Sequence, residues 1–473
     1  MGPHVRVERM RSCSTAQVVR SRRGILPTAG ARGQYRSILA LVPLPVAILL
    51  LSFLLPGEFD FGVGTLRLNC RRLILIGYVP LALMQLVSQR RLRSFDYLFV
   101  GAFVYYVLAV FIKEQFDKAA VTGGIIFLES AGSYLIARAY IKNEAQFAAM
   151  VKLLFALVVI MGFVAIPEAL FGAHLTKNVA AEIAGSPSWP STEWRYGLLR
   201  AMAMFDHPIH YGAFCAGVFG LAWYANDNVR ERIIRATVIA MATFVSLSAG
   251  PLQGILVILA GACWERCTRH ISRRVWWSIA FLVIGYFALF LIANRSPFMI
   301  LLTNTVLDPG SVWYRLFIWH YGLETISNNP WLGAPMGIWE RPAWMSDTLD
   351  CYWLAIAIWG GLPSLSLQVI SLITLLRAVN CTPQVPEGLA RRRCRYAWSA
   401  TVLALCWVGL TVHYFGALGV FFSFCVGCGG WLAEGTYGRT SALRKETSRR
   451  QPVRTRPVEL INNTKVDVEA LGH

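Results

Sequence analysis

The amino-acid sequence reads as an all-α, polytopic transmembrane helical bundle of about twelve spans with a large, partly helical outside loop. Three observations support this. Of 473 residues, 56% are hydrophobic and only 15% are charged, where a soluble domain carries about a quarter; the mean hydropathy is +0.50. The apolar residues stand in long runs, and a run of about 18 or more can cross a hydrocarbon core of roughly 30 Å as a helix. These runs are too long and too uniformly apolar for the alternating strands of a barrel, the other structure that satisfies its backbone in lipid.

The expected spans are roughly 37–55, 72–88, 96–112, 121–138, 148–171, 201–224, 233–249, 251–264, 276–294, 352–376, 396–414 and 416–433. They define a membrane domain over 37–433, flanked by basic tails at 1–36 and 434–473 that are expected to be disordered and cytoplasmic. No cleavable signal pattern precedes the first span. With the N-terminus inside, Arg90, Arg91 and Arg93, then Arg138 and Lys142, then Arg230, Arg232 and Arg235, then Arg266, Arg269, Arg273 and Arg274, then Arg377 and Arg391–Arg393 with Arg395, all fall on the cytoplasmic side. The positive-inside rule therefore favours both termini in the cytoplasm. Arg67, Arg71 and Arg72 fall outside in this scheme and dissent from it.

The formal net charge of +19 sits mainly in the tails and short loops. Topology and attraction to anionic lipid headgroups account for it, and no recognition motif supports nucleic acid. Eleven cysteines lie mostly in apolar runs or cytoplasmic segments. Cys425 and Cys428 have C-x-x-C spacing inside an apolar run, with no second pair or histidine nearby, so small buried residues are expected rather than a metal or redox pair. No internal repeat is evident, which weakens a transporter reading built on inverted repeats.

Two outside segments are longer than the rest, about 172–199 and about 295–351. The second holds Trp313, Trp319, Trp331, Trp339 and Trp344 among Pro330, Pro335 and Pro342, a composition that suits an ordered interfacial cap. Aromatic belts alone give some of that enrichment, so binding and anchoring both stand as readings.

Three stretches carry candidate chemistry. In the first, Arg195, Arg200, Asp206, His207 and His210 lie within sixteen positions at the head of an apolar run. Polar groups at such depth face a cavity or one another, and a guanidinium holds phosphate oxygens bidentately without losing its proton. His207 and His210 share a helical face if Pro208 leaves the turn intact. The plainer reading is an interfacial cluster in which Asp206 pairs with Arg200. In the second, Arg315, Trp319 and Glu324 fall on related helical faces ahead of a stop at Asn328-Asn329-Pro330-Trp331-Leu332-Gly333. In the third, Asp347 and Asp350 precede the span that contains Gly360-Gly361-Leu362-Pro363. Asp350 there is either a helix N-cap or a reactive carboxylate.

Taken together, these stretches resemble the O-antigen ligase / polysaccharide polymerase superfamily of membrane proteins over roughly 40–435. Arg200, Phe205, His207 and Pro208 fit its arginine, aromatic and polar-Pro head of a middle helix. Ser246-Leu247-Ser248-Ala249-Gly250-Pro251 fits its Ser-rich turn, and Arg315 with Pro330-Trp331-Leu332-Gly333 fits its loop arginine and Pro-x-x-Gly turn. Asp350-Cys351 and Gly361-Leu362 stand at its last motif. Two positions depart: Ala249 stands where many members have arginine, and Asp350 where ligases usually have histidine. The second leans toward the exopolysaccharide-polymerase-like members.

The resemblance implies a glycosyltransferase in a bacterial inner membrane that uses no cofactor; no compact Asp-rich metal motif stands in the outside segments, so the reaction is expected to be metal-independent. The enzyme would polymerise or transfer glycan units from an undecaprenyl-diphosphate-linked donor to a glycan acceptor at the periplasmic face, alongside other polysaccharide-export components. Arg200, Arg315 and His210 are then expected to hold the diphosphate, with Asp350 or His207 as base and Arg315 stabilising the leaving charge. A ligase acting on lipid A core is the alternative within the family, and a polysaccharide or lipid-linked-sugar transporter the alternative outside it.

Overall fold

The structure is a computed structural model that describes residues 41–63, 66–185, 193–225, 228–268, 270, 284, 310–380 and 388–434. Apart from residue 284, the expected span 276–294 lies outside the described residues, as do the loop segment 295–309, the tail 1–36 and all of the other tail beyond Glu434.

The chain is mostly helical with few strands. Its helices are α1 (Leu44–Leu51), α2 (Cys70–Ser88), α3 (Ser94–Lys113), α4 (Phe116–Tyr140), α5 (Glu144–Phe171), α6 (Leu175–Ala184), α7 (Pro208–Ala225), α8 (Val229–Phe244), α9 (Ala249–Thr268), α10 (Gly310–Asn328), α11 (Tyr352–Asn380), α12 (Leu389–Val408) and α13 (Gly416–Glu434). Two small antiparallel hairpins depart from a purely helical expectation: β1 (Asp60–Val63) with β2 (Leu66–Asn69), and β3 (Trp194–Arg195) with β4 (Leu198–Leu199).

Six described helices, α2, α3, α4, α5, α11 and α13, are long and apolar enough to cross a membrane. The remaining expected spans that are described are also helical but shorter or more polar: α1 has 8 residues and α8 has 16, and α12 opens on Arg391, Arg392 and Arg393. Large apolar side chains such as Phe163, Leu170, Phe171, Met84 and Ile112 face outward, the arrangement a lipid environment favours over water.

Local sequence explains the boundaries. Asn143 caps α5 by accepting from Gln146 N at 2.9 Å, and Gly172 closes it in the left-handed region. Asp96 at the third position of α3 accepts from Arg93 N at 2.7 Å. A π turn over Leu128–Gly132 interrupts α4. At the centre lies α7, buried on nearly all sides and packed against α5, α8, α9 and α12. Gly217 and Gly220 permit close packing on α13 and α12, because a Cβ at the first would collide with Phe421 and at the second with Thr401.

The charged residues separate into two ends. At one end, fully buried Arg138 bonds Asp96 (2.9 Å), Glu434 (2.7 Å) and the Arg91 carbonyl (2.6 Å), while Arg391 donates to the carbonyl of Leu432 at 2.8 Å. Arg91, Arg138 and Arg391, grouped on one side by their sequence spacing, are therefore grouped in space. The candidate site occupies the other end. There Arg71 and Arg72 have a local explanation: Arg72 Nε donates to Glu129 at 2.8 Å, and Arg71 is buried beneath Phe53 and Leu55.

The C-x-x-C pair is buried, and the nine described cysteines are all free. Gly361 has φ 77° inside α11, a kink around which the helix continues to Asn380. The turn after α10 docks on that kink. Leu362 N donates to the Pro330 carbonyl at 2.8 Å, and Ala334 N to the Ile358 carbonyl at 2.6 Å. Lys113 at the end of α3 ties the assembly together, its Nζ donating to the carbonyls of Leu332 (2.6 Å), Ala334 (2.8 Å) and Trp359 (2.7 Å).

Candidate functional site

Between α10, the head of α7, the segment before α11 and the α12–α13 connection lies a cavity of about 720 Å³. Arg195, Arg200, His207, His210, Arg315 and Asp350, six of the charged or imidazole groups singled out by sequence, all line it. Glu324 does not: it is exposed, because nine residues separate it from Arg315 and turn it to another face.

Arg200 is 2% exposed. Its Nη2 donates to Ser248 Oγ at 2.7 Å and its Nε to the Ser246 carbonyl at 3.4 Å, while Nη1 pairs with Glu193. The Ser246–Ser248 turn between α8 and α9 thus serves as a socket for this guanidinium. Leu247, at φ 46°, bends the turn sharply enough to aim both groups at it. Burial lowers the Arg200 pKa, with Glu193 opposing; at that intrinsic basicity the guanidinium keeps its proton.

The expected Asp206–Arg200 pair does not form. Asp206 instead pairs with Lys177 at 2.8 Å, because the loop between β4 and α7 turns it to the opposite side. Burial pushes the Asp206 carboxyl up, but Lys177 outweighs this and holds it below its ordinary value. That loop is itself fixed by buried Glu168 of α5, which accepts from Met202 N (3.2 Å) and Ala203 N (2.9 Å). Ala203 adopts φ 47° there.

His207 lies just before α7, whose first turn is intact at Pro208: His210 N donates to the His207 carbonyl at 3.0 Å, the two rings lie 5.9 Å apart, and both line the cavity. The His207 Nδ1 accepts from Ile209 N at 3.2 Å, and burial followed by the Arg200 charge pulls its pKa down to about 4. A neutral imidazole whose Nδ1 is an acceptor carries its proton on Nε2. In this tautomer His207 offers its Nε2–H as a hydrogen-bond donor in the cavity. His210 is buried, and its Nε2 lies 3.0 Å from the His413 carbonyl. A carbonyl only accepts, so that N–H is spent holding the α12–α13 connection, which removes it as a diphosphate donor.

Asp350 precedes α11 by one residue more than an N-cap, and among the described residues its side chain makes no hydrogen bond. The segment is positioned by the backbone instead: Tyr352 N donates to the carbonyls of Gly409 and Val412 at 2.9 and 3.0 Å. Burial raises the Asp350 pKa, with Arg315 the largest opposing influence. A half-buried carboxylate of raised basicity beside guanidinium groups is suited to accept a proton.

Sequence reasoning passed over three contributors. Glu193 holds Arg200, and Tyr314 and Trp359 line the cavity with a hydroxyl and an indole N–H buried without a hydrogen-bond partner among the described residues. Buried donors left unmatched are costly, so the cavity is built for a polar occupant. Tyr314 adjoins Arg315 in sequence, and a Tyr-Arg pair on an outside helix was the available signal. Glu168 was visible only as a lone acid in an apolar run. Among the described residues, no group of three or more His, Cys, Asp or Glu is placed to hold a metal ion.

No protein-family model matches the chain, and no curated protein matches it.

Proposed function

We propose that the protein is a membrane glycosyltransferase that polymerises or transfers glycan repeat units from a lipid-diphosphate donor. It would do so at the periplasmic face of a bacterial inner membrane, in a fold of about twelve spans with both termini cytoplasmic. The observation that carries this reading is the placement of Asp350 in one cavity with Arg200 and Arg315. In the resembling superfamily the corresponding motifs serve lipid-linked glycan transfer.

In the mechanism these residues support, Asp350 takes the proton of an acceptor hydroxyl. The freed oxygen attacks the anomeric carbon as the bond from that carbon to the diphosphate oxygen breaks, and the electron pair leaves with the lipid diphosphate. A single displacement of this kind inverts the anomeric centre. Arg315 and Arg200 meet the charge that develops on the leaving oxygen, and His207 Nε2–H and Tyr314 donate to the same region. Glu193, which occupies one Arg200 nitrogen, must yield that nitrogen when the diphosphate arrives. Two guanidinium groups take the role that a divalent ion has in many glycosyl transfers.

A polymerase is preferred to a ligase because an acid, Asp350, stands where ligases usually carry histidine. Cells lacking the protein separate the readings. Loss of long secreted polymer supports a polymerase. Normal polymer retained on its lipid carrier supports a ligase. Unchanged polymer in cells carrying both Arg200→Ala and Arg315→Ala at normal protein level would sink the catalytic reading. A transporter is disfavoured because the polar groups that line the cavity lie at one end of the bundle, whereas transporters place their binding groups near the midplane.

A further inference from the structure

A second cavity, of about 450 Å³, lies beside the first and shares Trp359, His413 and Phe415 with it. Its floor is apolar, from Phe103 of α3, Ile125 and Ile126 of α4 and Ile356 of α11. Its other end is polar, from Arg67, Arg71 and Arg72 around the β1–β2 hairpin. The first half of α4, which contributes to the floor, buries only Ala119 and Gly123 within the protein. The cavity therefore borders the lipid-facing side of the bundle.

Arg71 is the informative residue. It is 5% exposed and lines the cavity, yet among the described residues its one hydrogen bond is a 3.5 Å contact to the Leu55 carbonyl. Its guanidinium carbon also lies 6.0 Å above the Phe53 ring. The three carboxylates that line the cavity are held by other cations: Asp60 by Arg67 at 3.4 Å, Glu129 by Arg72 at 2.8 Å, and Asp206 by Lys177 at 2.8 Å. Among the described residues, Arg71 is thus the charged group of this cavity that lacks a salt bridge. Asp206 and Glu129 act on it only from a distance, since each is paired with another cation, so the buried guanidinium is incompletely compensated; it also sits in the first turn of α2, where the helix dipole adds further positive potential. A phosphate oxygen pair matches its planar fork, and the apolar floor matches a hydrocarbon chain.

We propose that this cavity is a second, separate seat for a phosphate-bearing lipid, with the phosphate on Arg71 and the chain between α3, α4 and α11. The assignment of that lipid as the second substrate rests on the glycan-transfer reading. Transfer between two lipid-borne glycans needs two such seats side by side, and the shared wall at Trp359, His413 and Phe415 is where their sugar ends would meet.

The test uses the full-length protein in neutral detergent micelles, titrated with a fluorescent isoprenyl monophosphate. Wild type is expected to bind two per chain. Arg71→Gln should weaken one class about tenfold or more while leaving the other, and Arg71→Lys should fall between. Arg315→Gln should remove the complementary class. A photoreactive isoprenyl phosphate on wild type should label the peptide containing Ile125 and Ile126, a readout independent of how the variants fold. Unchanged stoichiometry and affinity in Arg71→Gln, or labelling confined to residues 195–210 and 310–350, would overturn the second seat. Equal competition by phosphatidylglycerol, by inorganic phosphate or by an isoprenol lacking phosphate would overturn its assignment to a lipid-borne phosphate substrate. If Arg71→Gln loses a class and Arg315→Gln loses none, the seat stands and the glycan-transfer reading fails.

Discussion

Arg200 Nη2 donates to Ser248 Oγ at 2.7 Å, joining the head of α7 to the turn between α8 and α9 across 48 positions of sequence. The guanidinium is oriented by that hydroxyl and by the Ser246 carbonyl, and its remaining nitrogen faces Glu193. Arg200→Ala is expected to lower glycan transfer at least about a hundredfold, the usual loss when one donor to a developing oxyanion is removed. Ser248→Ala should cost less, about tenfold, since it removes one bond to a charged group and leaves the charge in place. Transfer assays on membranes with matched protein levels check both, and equal losses would argue against the socket.

Asp350 should show its raised pKa in the pH profile. A base must be deprotonated to act, so wild-type activity should rise through an acid limb above the ordinary carboxylate range near about 4. Asp350→Asn should lose about a hundredfold to ten-thousandfold and show no such limb.

The same shift has an opposite consequence for stability. A carboxyl with a raised folded-state pKa favours the fold while protonated, and that contribution disappears as pH rises through the folded pKa. At neutral pH the half-buried Asp350 charge therefore destabilises the fold, and Asp350→Asn should melt higher than wild type. The difference should vanish below the unfolded pKa. Melting curves in detergent at pH 7 and at acid pH check this, and a lower melting temperature for the variant at pH 7 would contradict it.

Lys113 holds three carbonyls of the α10–α11 region. Lys113→Met keeps the length and removes the charge, leaving those carbonyls unmatched at a cost of about 2–4 kcal/mol. Thermal stability should fall and limited proteolysis within 329–351 should speed up. An unchanged digestion rate would show that the turn holds without it.

Gly361 and Gly101 make a matched pair. Gly361 has φ 77°, and a Cβ there would collide with the Trp331 carbonyl oxygen, whereas a Cβ at Gly101 meets nothing within 4 Å. Gly361→Ala should destabilise by at least about 3 kcal/mol. Gly101→Ala should be neutral or slightly stabilising, because alanine favours the helix by about 1 kcal/mol. Detergent-solubilised yield and melting temperature read both.

Chelation should leave activity intact, since guanidinium groups are the cations assigned to the diphosphate. Complete loss in chelator, restored by a divalent ion, would require a different mechanism.

Much of this was legible in the residue order. The mostly helical membrane character followed from run length and hydropathy, because a bilayer imposes its thickness on any helix that crosses it. The grouping of Arg91, Arg138 and Arg391 followed from alternation along the chain. The stretches around Arg200, Arg315 and Asp350 were visible as polar residues that hydrocarbon would not tolerate without a reason. Their convergence on one cavity, and everything about partner choice, was not legible. Asp206 turned to Lys177, Arg200 took Glu193 and Ser248, and His210 spent its N–H on a carbonyl. Each outcome depends on backbone turns such as Ala203 and Leu247 at positive φ, which no local pattern announces. Sequence by itself determined which segments favour lipid and which residues are costly there, since both are transfer free energies of individual groups. Only the tertiary structure decided which costly groups meet and which, like Arg71, are left for a ligand to complete, because that depends on directions and distances between elements far apart in the chain.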